Sequence, residues 1–169
     1  NQAMLWFLMG YTSKLAGTET GVTEPVSTFS RFFGAPFMPR QPEVYAKLLG
    51  NMMEKYGANV YLVNTGWSGG AYGEGSRMDI TLTRAIVEAA LNGSLEKVEY
   101  VYDPLFHVSV PTECPGVPSD VLTPKNTWKN KKDYDARAKK LAGDFAKKFD
   151  AAYGDKGIDP AIAAQCPGK

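Results

Sequence analysis

The sequence predicts an α/β (mixed) fold, and three observations carry that reading. Apolar residues recur at i, i+3 and i+4 through residues 42–56, 81–92 and 131–153, the signature of helices with one covered face. The run NVYLVNT at 59–65 is short, apolar and bounded by polar or glycine residues, as a buried strand is. Between that run and the second helix lies a loop carrying Gly66, Gly69, Gly70, Gly73 and Gly75. Without a Cβ, such a loop brings backbone N–H groups close to a ligand; it also serves as a plain exposed connection.

A chain of 169 residues is long enough for one domain with a sizeable core. Hydrophobic residues make up 44% and charged residues 22%, the composition of an ordinary globular protein. A net charge of +1 gives no electrostatic footprint for nucleic acid or for an anionic membrane. The two cysteines, Cys114 and Cys166, stand in Pro-rich loop settings and read as reduced thiols of a cytoplasmic protein.

Taken in order, residues 2–15 fit a helix in which Met4, Phe7, Leu8, Tyr11 and Leu15 share a stripe. Leu5, Trp6 and Met9 make its other side apolar too, so it is expected to be covered on several sides and to belong to a longer polypeptide. Residues 17–40 are rich in Gly, Thr, Ser and Pro without periodicity, which predicts a functional loop or lid, most mobile over 17–33, or an irregular surface crossing. Phe29, Phe32, Phe33 and Phe37 are candidates to tether the end of that region to the core.

Pro42 suits a first helical turn and Gly57 a helix end. The stripe Tyr45, Leu48, Leu49, Met52, Met53 and Tyr56 between them predicts core packing, with the Met pair as filler. Thr81 is the expected N-cap of the next helix, which ends at Asn92-Gly93. The first helix, the 59–65 strand and this helix are expected to share one core. Residues 98–102 and 105–110 read as strands separated by Asp103-Pro104, able to pair or to lie in succession. A Pro-rich segment, 111–128, predicts an extended loop. The long helix 131–153 turns Tyr134, Ala138, Leu141, Ala142, Phe145, Phe149 and Ala152 inward and its lysines, mixed with aspartates, to water.

The readable chemistry is sparse. No Lys follows the glycines as a phosphate loop requires, and no proper GxGxxG is present. His107 is the only histidine, stands in the apolar pattern LFHVSV, and lacks the spaced Cys or carboxylate partners of a metal site. Ser68 and Ser76 are not in a nucleophile elbow. What remains is a ligand loop with Arg77 at the approach to a helix start, a place suited to anionic or planar groups.

Four segments carry a resemblance: MGYTSKLAGTETGVTEP, FSRFFGAPF, YLVNTGWSGGAYGEGSRMDITLTRAIVEAALNGSL and VPTECPGVPSDVLTPKNTW. In order, across nearly the whole chain, they resemble the C-terminal part of ATP-dependent phosphoenolpyruvate carboxykinase. The resemblance implies that residues 1–169 are the C-terminal portion of that enzyme's nucleotide-binding domain, with the phosphate loop and the N-terminal domain upstream. It implies an enzyme that converts oxaloacetate and ATP to phosphoenolpyruvate, ADP and CO2 with Mg²⁺ and Mn²⁺. The family's metal ligands and its oxaloacetate-binding arginines have no counterpart here, so the chain alone is expected to be inactive.

Residue by residue, the resemblance carries over only three positions. Arg77 matches the arginine beside base and ribose, Met78 its usually aliphatic neighbour, and Thr83 the threonine further along. Met in place of the more familiar Ile departs mildly from the family. Residues 17–33 resemble the family's mobile lid. The competing reading from another class is a non-catalytic nucleotide-binding or interaction module.

Overall fold

The computed structural model describes residues 1–14, 17, 20–24, 26–30, 37–64 and 66–169. They form two compact units, one of Asn1–Val60 with Ala142–Lys169 and one of Tyr61–Leu141. The first helix and the 81–92 helix, expected to share one core, fall in different units.

In the first unit, helix α1 spans Gln2–Leu8 and is followed by an antiparallel hairpin of β1 (Gly10–Lys14) and β2 (Val26–Ser30). This corrects the expected helix over 2–15. The Met9 N–H closes the last helical turn on the Leu5 carbonyl at 2.8 Å, and Gly10 then begins the strand. Tyr11 and Leu15 continue the helical stripe in sequence, but Tyr11 faces Phe29 across the hairpin instead. Ladder partners 12 to 20 residues away overrode a weak local preference.

Helix α2, Pro42–Tyr56, begins with Pro42 in its first turn and ends at Gly57 in the left-handed conformation (φ 60°), as expected. Its stripe is less covered than expected. Only Ala46 is buried, while Leu48, Met52 and Tyr56 are exposed, so Met52 is not core filler.

The second unit begins with the apolar run. Residues 59–64 form no strand, and Leu62 and Val63 are exposed at 59% and 39%, which overturns the buried-strand reading. An extended run becomes a strand only where ladder partners exist, and none of the described residues supplies one. A small hairpin follows, β3 (Trp67–Ser68) with β4 (Ser76–Arg77), then α3 (Ile80–Leu91) and a short 3-10 helix, Ser94–Lys97. The two later strand segments do pair, as β5 (Tyr100–Asp103) and β6 (Val108–Pro111), antiparallel. His107 is not in a strand: it lies in their turn at φ 52° with its ring stacked over Tyr102. The Pro-rich segment is more regular than expected, forming α4 (Ser119–Leu122) and α5 (Pro124–Thr127).

Helix α6 runs over Lys131–Tyr153, matching its expected bounds. Ala138, Ala142, Phe145, Phe149 and Tyr153 are buried along one stripe and the lysines face water. Its C-terminal half organises the first unit. Phe145 meets Phe29 edge-on at 4.8 Å, Trp6 at 5.2 Å and Tyr11 at 5.7 Å. Phe29 thus tethers the hairpin as expected, whereas Phe37 is 89% exposed, and Phe32 and Phe33 lie outside the described residues. Helix α7, Pro160–Ala163, closes the unit with Ile162 and Cys166 buried. Both cysteines are free and buried, and burial pushes the Cys166 thiol up to about 11. None of the described helices is long and apolar enough to cross a membrane.

Candidate functional site

The glycine loop closes on itself before it offers anything to a ligand. A Cβ at Gly75 would stand 2.5 Å from the Ser68 carbonyl oxygen and 2.6 Å from that of Gly70, and one at Gly70 would stand 2.9 Å from the Gly75 nitrogen. These two glycines are needed because backbone packs on backbone. Gly69 (φ 79°) and Gly73 (φ 85°) turn the chain in the left-handed region. The Gly75 N–H donates to the Ala71 carbonyl at 2.8 Å. Glu74 pairs with Arg137 on α6 at 3.1 Å, fixing the loop's outer end within the unit.

This closure places Trp67 and Arg77 directly opposite each other in the β3–β4 ladder. Trp67 also meets Tyr72 edge-on, with ring centroids 5.4 Å apart, and all three side chains are exposed. Among the described residues, no carboxylate or carbonyl holds the Arg77 guanidinium. Met78 is half-buried, its N–H donating to the Gly66 carbonyl at 2.9 Å, so the backbone at this position is fixed by the hairpin's base.

The helix that follows starts on Asp79 and not on Thr81. The Asp79 carboxylate accepts from the Thr81 N–H at 2.7 Å and from the Thr81 hydroxyl at 2.6 Å. Both bonds favour the charged form and hold the Asp79 pKa below its ordinary 3.8. The available signal was Asp itself, as good a cap as Thr and two residues ahead of it. Thr83 lies in the helix's first turns, half-buried, with its hydroxyl donating to the Asp79 carbonyl at 3.5 Å.

The three residues singled out by sequence are therefore near in the chain but not gathered in one cavity. A shallow groove of about 420 Å³ runs along α3, lined by Thr83, Arg84, Val87, Glu88, Leu91 and Asn92. Arg77 and Met78 do not line it. No group of three His, Cys, Asp or Glu that could hold a metal ion occurs among the described residues. The cross-strand pairing of Trp67 with Arg77 was not anticipated, because the sequence carries no two-residue hairpin signal there.

Comparison with known proteins decides the family. The family model described as phosphoenolpyruvate carboxykinase, of the ATP type, matches residues 1–120. The chain belongs to the ATP-type phosphoenolpyruvate carboxykinase family. It is 60% identical over 148 residues to phosphoenolpyruvate carboxykinase (ATP) of Caldanaerobacter subterraneus, covering 88% of this chain and 28% of that protein. It is 62% identical over 148 residues to phosphoenolpyruvate carboxykinase (ATP) 2 of Moorella thermoacetica, with the same coverage of 88% and 28%. The carboxykinase of Alkaliphilus oremlandii is 54% identical over 165 residues, 95% of this chain and 31% of the relative. The chain thus spans less than a third of the length of these curated relatives. Glycine loop, Arg77, Met78 and Thr83 all fall inside the segment matched to the carboxykinase family.

Proposed function

We propose that these residues work as part of an ATP-dependent phosphoenolpyruvate carboxykinase, in which they supply the adenine side of the nucleotide site and the lid. The observation that supports this most is the family match over residues 1–120, which includes the whole hairpin–cap–helix segment. In the proposed reaction the bond between C3 of oxaloacetate and its terminal carboxyl carbon breaks, releasing CO2. The electron pair passes to the enolate, whose oxygen takes the γ-phosphoryl group of ATP, leaving ADP and phosphoenolpyruvate.

The residues described here fit the nucleotide's base better than its phosphates. An exposed guanidinium without a carboxylate or carbonyl partner among the described residues can lie flat over a purine. Met78 would offer an adaptable apolar wall beside it, and Thr83 a hydroxyl on the next helical turns. The Mg²⁺ and Mn²⁺ that the family's chemistry calls for would be held by residues outside this chain. The lid would be residues 17–33, whose β2 arm is paired with β1; the residues 18, 19, 25 and 31–33 of that stretch lie outside the described ones. Its closure would keep water away from phosphoryl transfer. The setting proposed for this chemistry is cytoplasmic.

The test is an assay of phosphoenolpyruvate formation from oxaloacetate, with ATP and Mn²⁺. A relative's polypeptide in which these 169 residues replace the matching part is expected to be active. The 169-residue chain by itself is expected to show none, and turnover above a heat-killed control would overturn the partial-enzyme reading.

A further inference from the structure

Arg77 lies between two carboxylates in the chain, Glu74 three residues before it and Asp79 two residues after it. Three residues of chain span at most about 11 Å, so an arginine side chain is within reach of either neighbour. Both carboxylates are nevertheless held elsewhere. Asp79 accepts the N–H and the hydroxyl of Thr81. Glu74, the only acidic residue between Gly66 and Arg77, meets Arg137 on α6, with its Oε2 3.1 Å from Nη2. The Arg77 guanidinium is thereby left without a carboxylate among the described residues.

Arg137 is itself held in place for this contact. Its guanidinium lies 5.6 Å from the centre of the Trp128 ring, and Trp128 meets Tyr134 edge-on at 5.8 Å. The Lys131 ammonium spends its three donors on the carbonyls of Lys125, Asn126 and Trp128, at 2.9, 2.7 and 3.0 Å, which ties the end of α5 to the start of α6. The glycine loop also touches that corner at Gly69, where a Cβ would stand 3.1 Å from the Thr127 carbonyl oxygen. An exposed ion pair adds little to stability. At 49% and 61% exposure, the effect of the Arg137–Glu74 pair is to decide which cation the carboxylate meets. We propose that Arg137 is a positioning residue of the candidate nucleotide site: by holding Glu74 it keeps the Arg77 guanidinium open to the base of ATP. Without Arg137, the Glu74 carboxylate turns to Arg77 and competes with the nucleotide. Arg137 lies beyond residues 1–120, the segment that the family model matches. The proposal rests on the reading of Arg77 as a nucleotide-binding residue.

The experiment titrates ATP against a relative's polypeptide that carries these 169 residues in place of its own. Arg137→Ala is expected to weaken ATP binding by about two- to five-fold, the strength of an exposed ion pair. Adding Glu74→Gln to Arg137→Ala is expected to restore the parent affinity, because the competing charge is gone. Arg137→Lys, which keeps a cation opposite Glu74, is expected to retain most of it. In an Arg77→Ala background, Arg137→Ala is expected to cause no further loss. A double variant as weak as Arg137→Ala overturns the proposal, as does a full-sized further loss in the Arg77→Ala background. General loosening of the fold would lower the melting temperature of the single and double variants alike and leave the ATP deficit unrescued. If Arg77→Ala weakens ATP binding and Arg137→Ala does not, the nucleotide reading of Arg77 stands and the positioning role falls. If Arg77→Ala leaves ATP binding unchanged, the reading of Arg77 falls and the proposal with it.

Discussion

The Tyr153 hydroxyl donates to the Leu8 carbonyl at 3.0 Å, joining the end of α6 to the end of α1 across 145 residues of sequence. Leu8 is fully buried and Tyr153 nearly so, so this bond lies inside the first unit's core. The carbonyl is one of the last four of α1, which have no partner within the helix, so the phenol does the work of a cap.

Tyr153→Phe should therefore leave a buried carbonyl unpaired while keeping the ring. The expected loss is about 1 kcal/mol, a net hydrogen bond, or a fall of about 2–4 °C in melting temperature for a chain of this size. A thermal melt checks it, and an unchanged midpoint would show that water replaces the phenol. The ring's contact with Phe149, 5.5 Å between centroids, is retained in the variant and is not expected to contribute to the difference.

The same residues show what a sequence can and cannot reveal. The stripe Ala138, Ala142, Phe145, Phe149 and Tyr153 is periodic, so the bounds and buried face of α6 follow from local spacing. Pro42 and Gly57 mark α2 for a similar reason: each has a backbone preference that acts at its own position. The end of α1 at Leu8 was hidden, because it depends on Val26–Ser30 pairing with Gly10–Lys14. The unpaired state of residues 59–64 was hidden too, since strand formation is a property of neighbours and not of composition. Within the candidate site, Arg77 was legible from its place before a helix, but its pairing with Trp67 depended on how the glycines close the loop.

That closure leads to a second prediction. Gly75→Ala puts a methyl group against two carbonyl oxygens of the backbone, which cannot swing aside as a side chain would. Gly73→Ala meets open space and carries only the strain of its φ of 85°, about 1–2 kcal/mol. The Gly75 variant is expected to melt lower than the Gly73 variant and to shift the emission of Trp67 as the hairpin opens. Equal melting temperatures would mean that the loop opens without cost.

Acid should expose the cap of α3. In the folded chain the Asp79 pKa lies below its ordinary 3.8, because the Thr81 hydroxyl and N–H both favour the carboxylate. The sign follows by linkage: the bonds' contribution is fully present above the ordinary value and is lost as pH falls through the lowered one. Asp79→Ala should thus melt lower than the parent by a constant margin near neutral pH, and the margin should close only in strong acid. Asp79→Asn, which keeps an acceptor, should retain most of the neutral-pH stability. Melting curves of the three proteins from about pH 7 to about pH 2 check this, and a margin that closes well above the carboxylate range would refute it.

The most consequential prediction concerns Arg77 in the longer enzyme. Its guanidinium is exposed on β4, opposite Trp67 and two residues before the Asp79 cap. No group of three His, Cys, Asp or Glu that could hold a metal ion gathers beside it among the described residues. A planar cation in that position is suited to covering a base, an interaction that contributes about 0.5–2 kcal/mol. Arg77→Ala should then weaken ATP binding by several-fold to about thirty-fold. Oxaloacetate binding should hardly change, since the proposed decarboxylation chemistry lies elsewhere in the polypeptide. The competing role is structural, with the guanidinium steadying the hairpin opposite Trp67. In that case the variant would lose thermal stability while both ligand constants stayed where they were. Titrating ATP and oxaloacetate separately, beside a melting curve, distinguishes the two. If the oxaloacetate constant moved while the ATP constant did not, Arg77 would belong to the other side of the reaction.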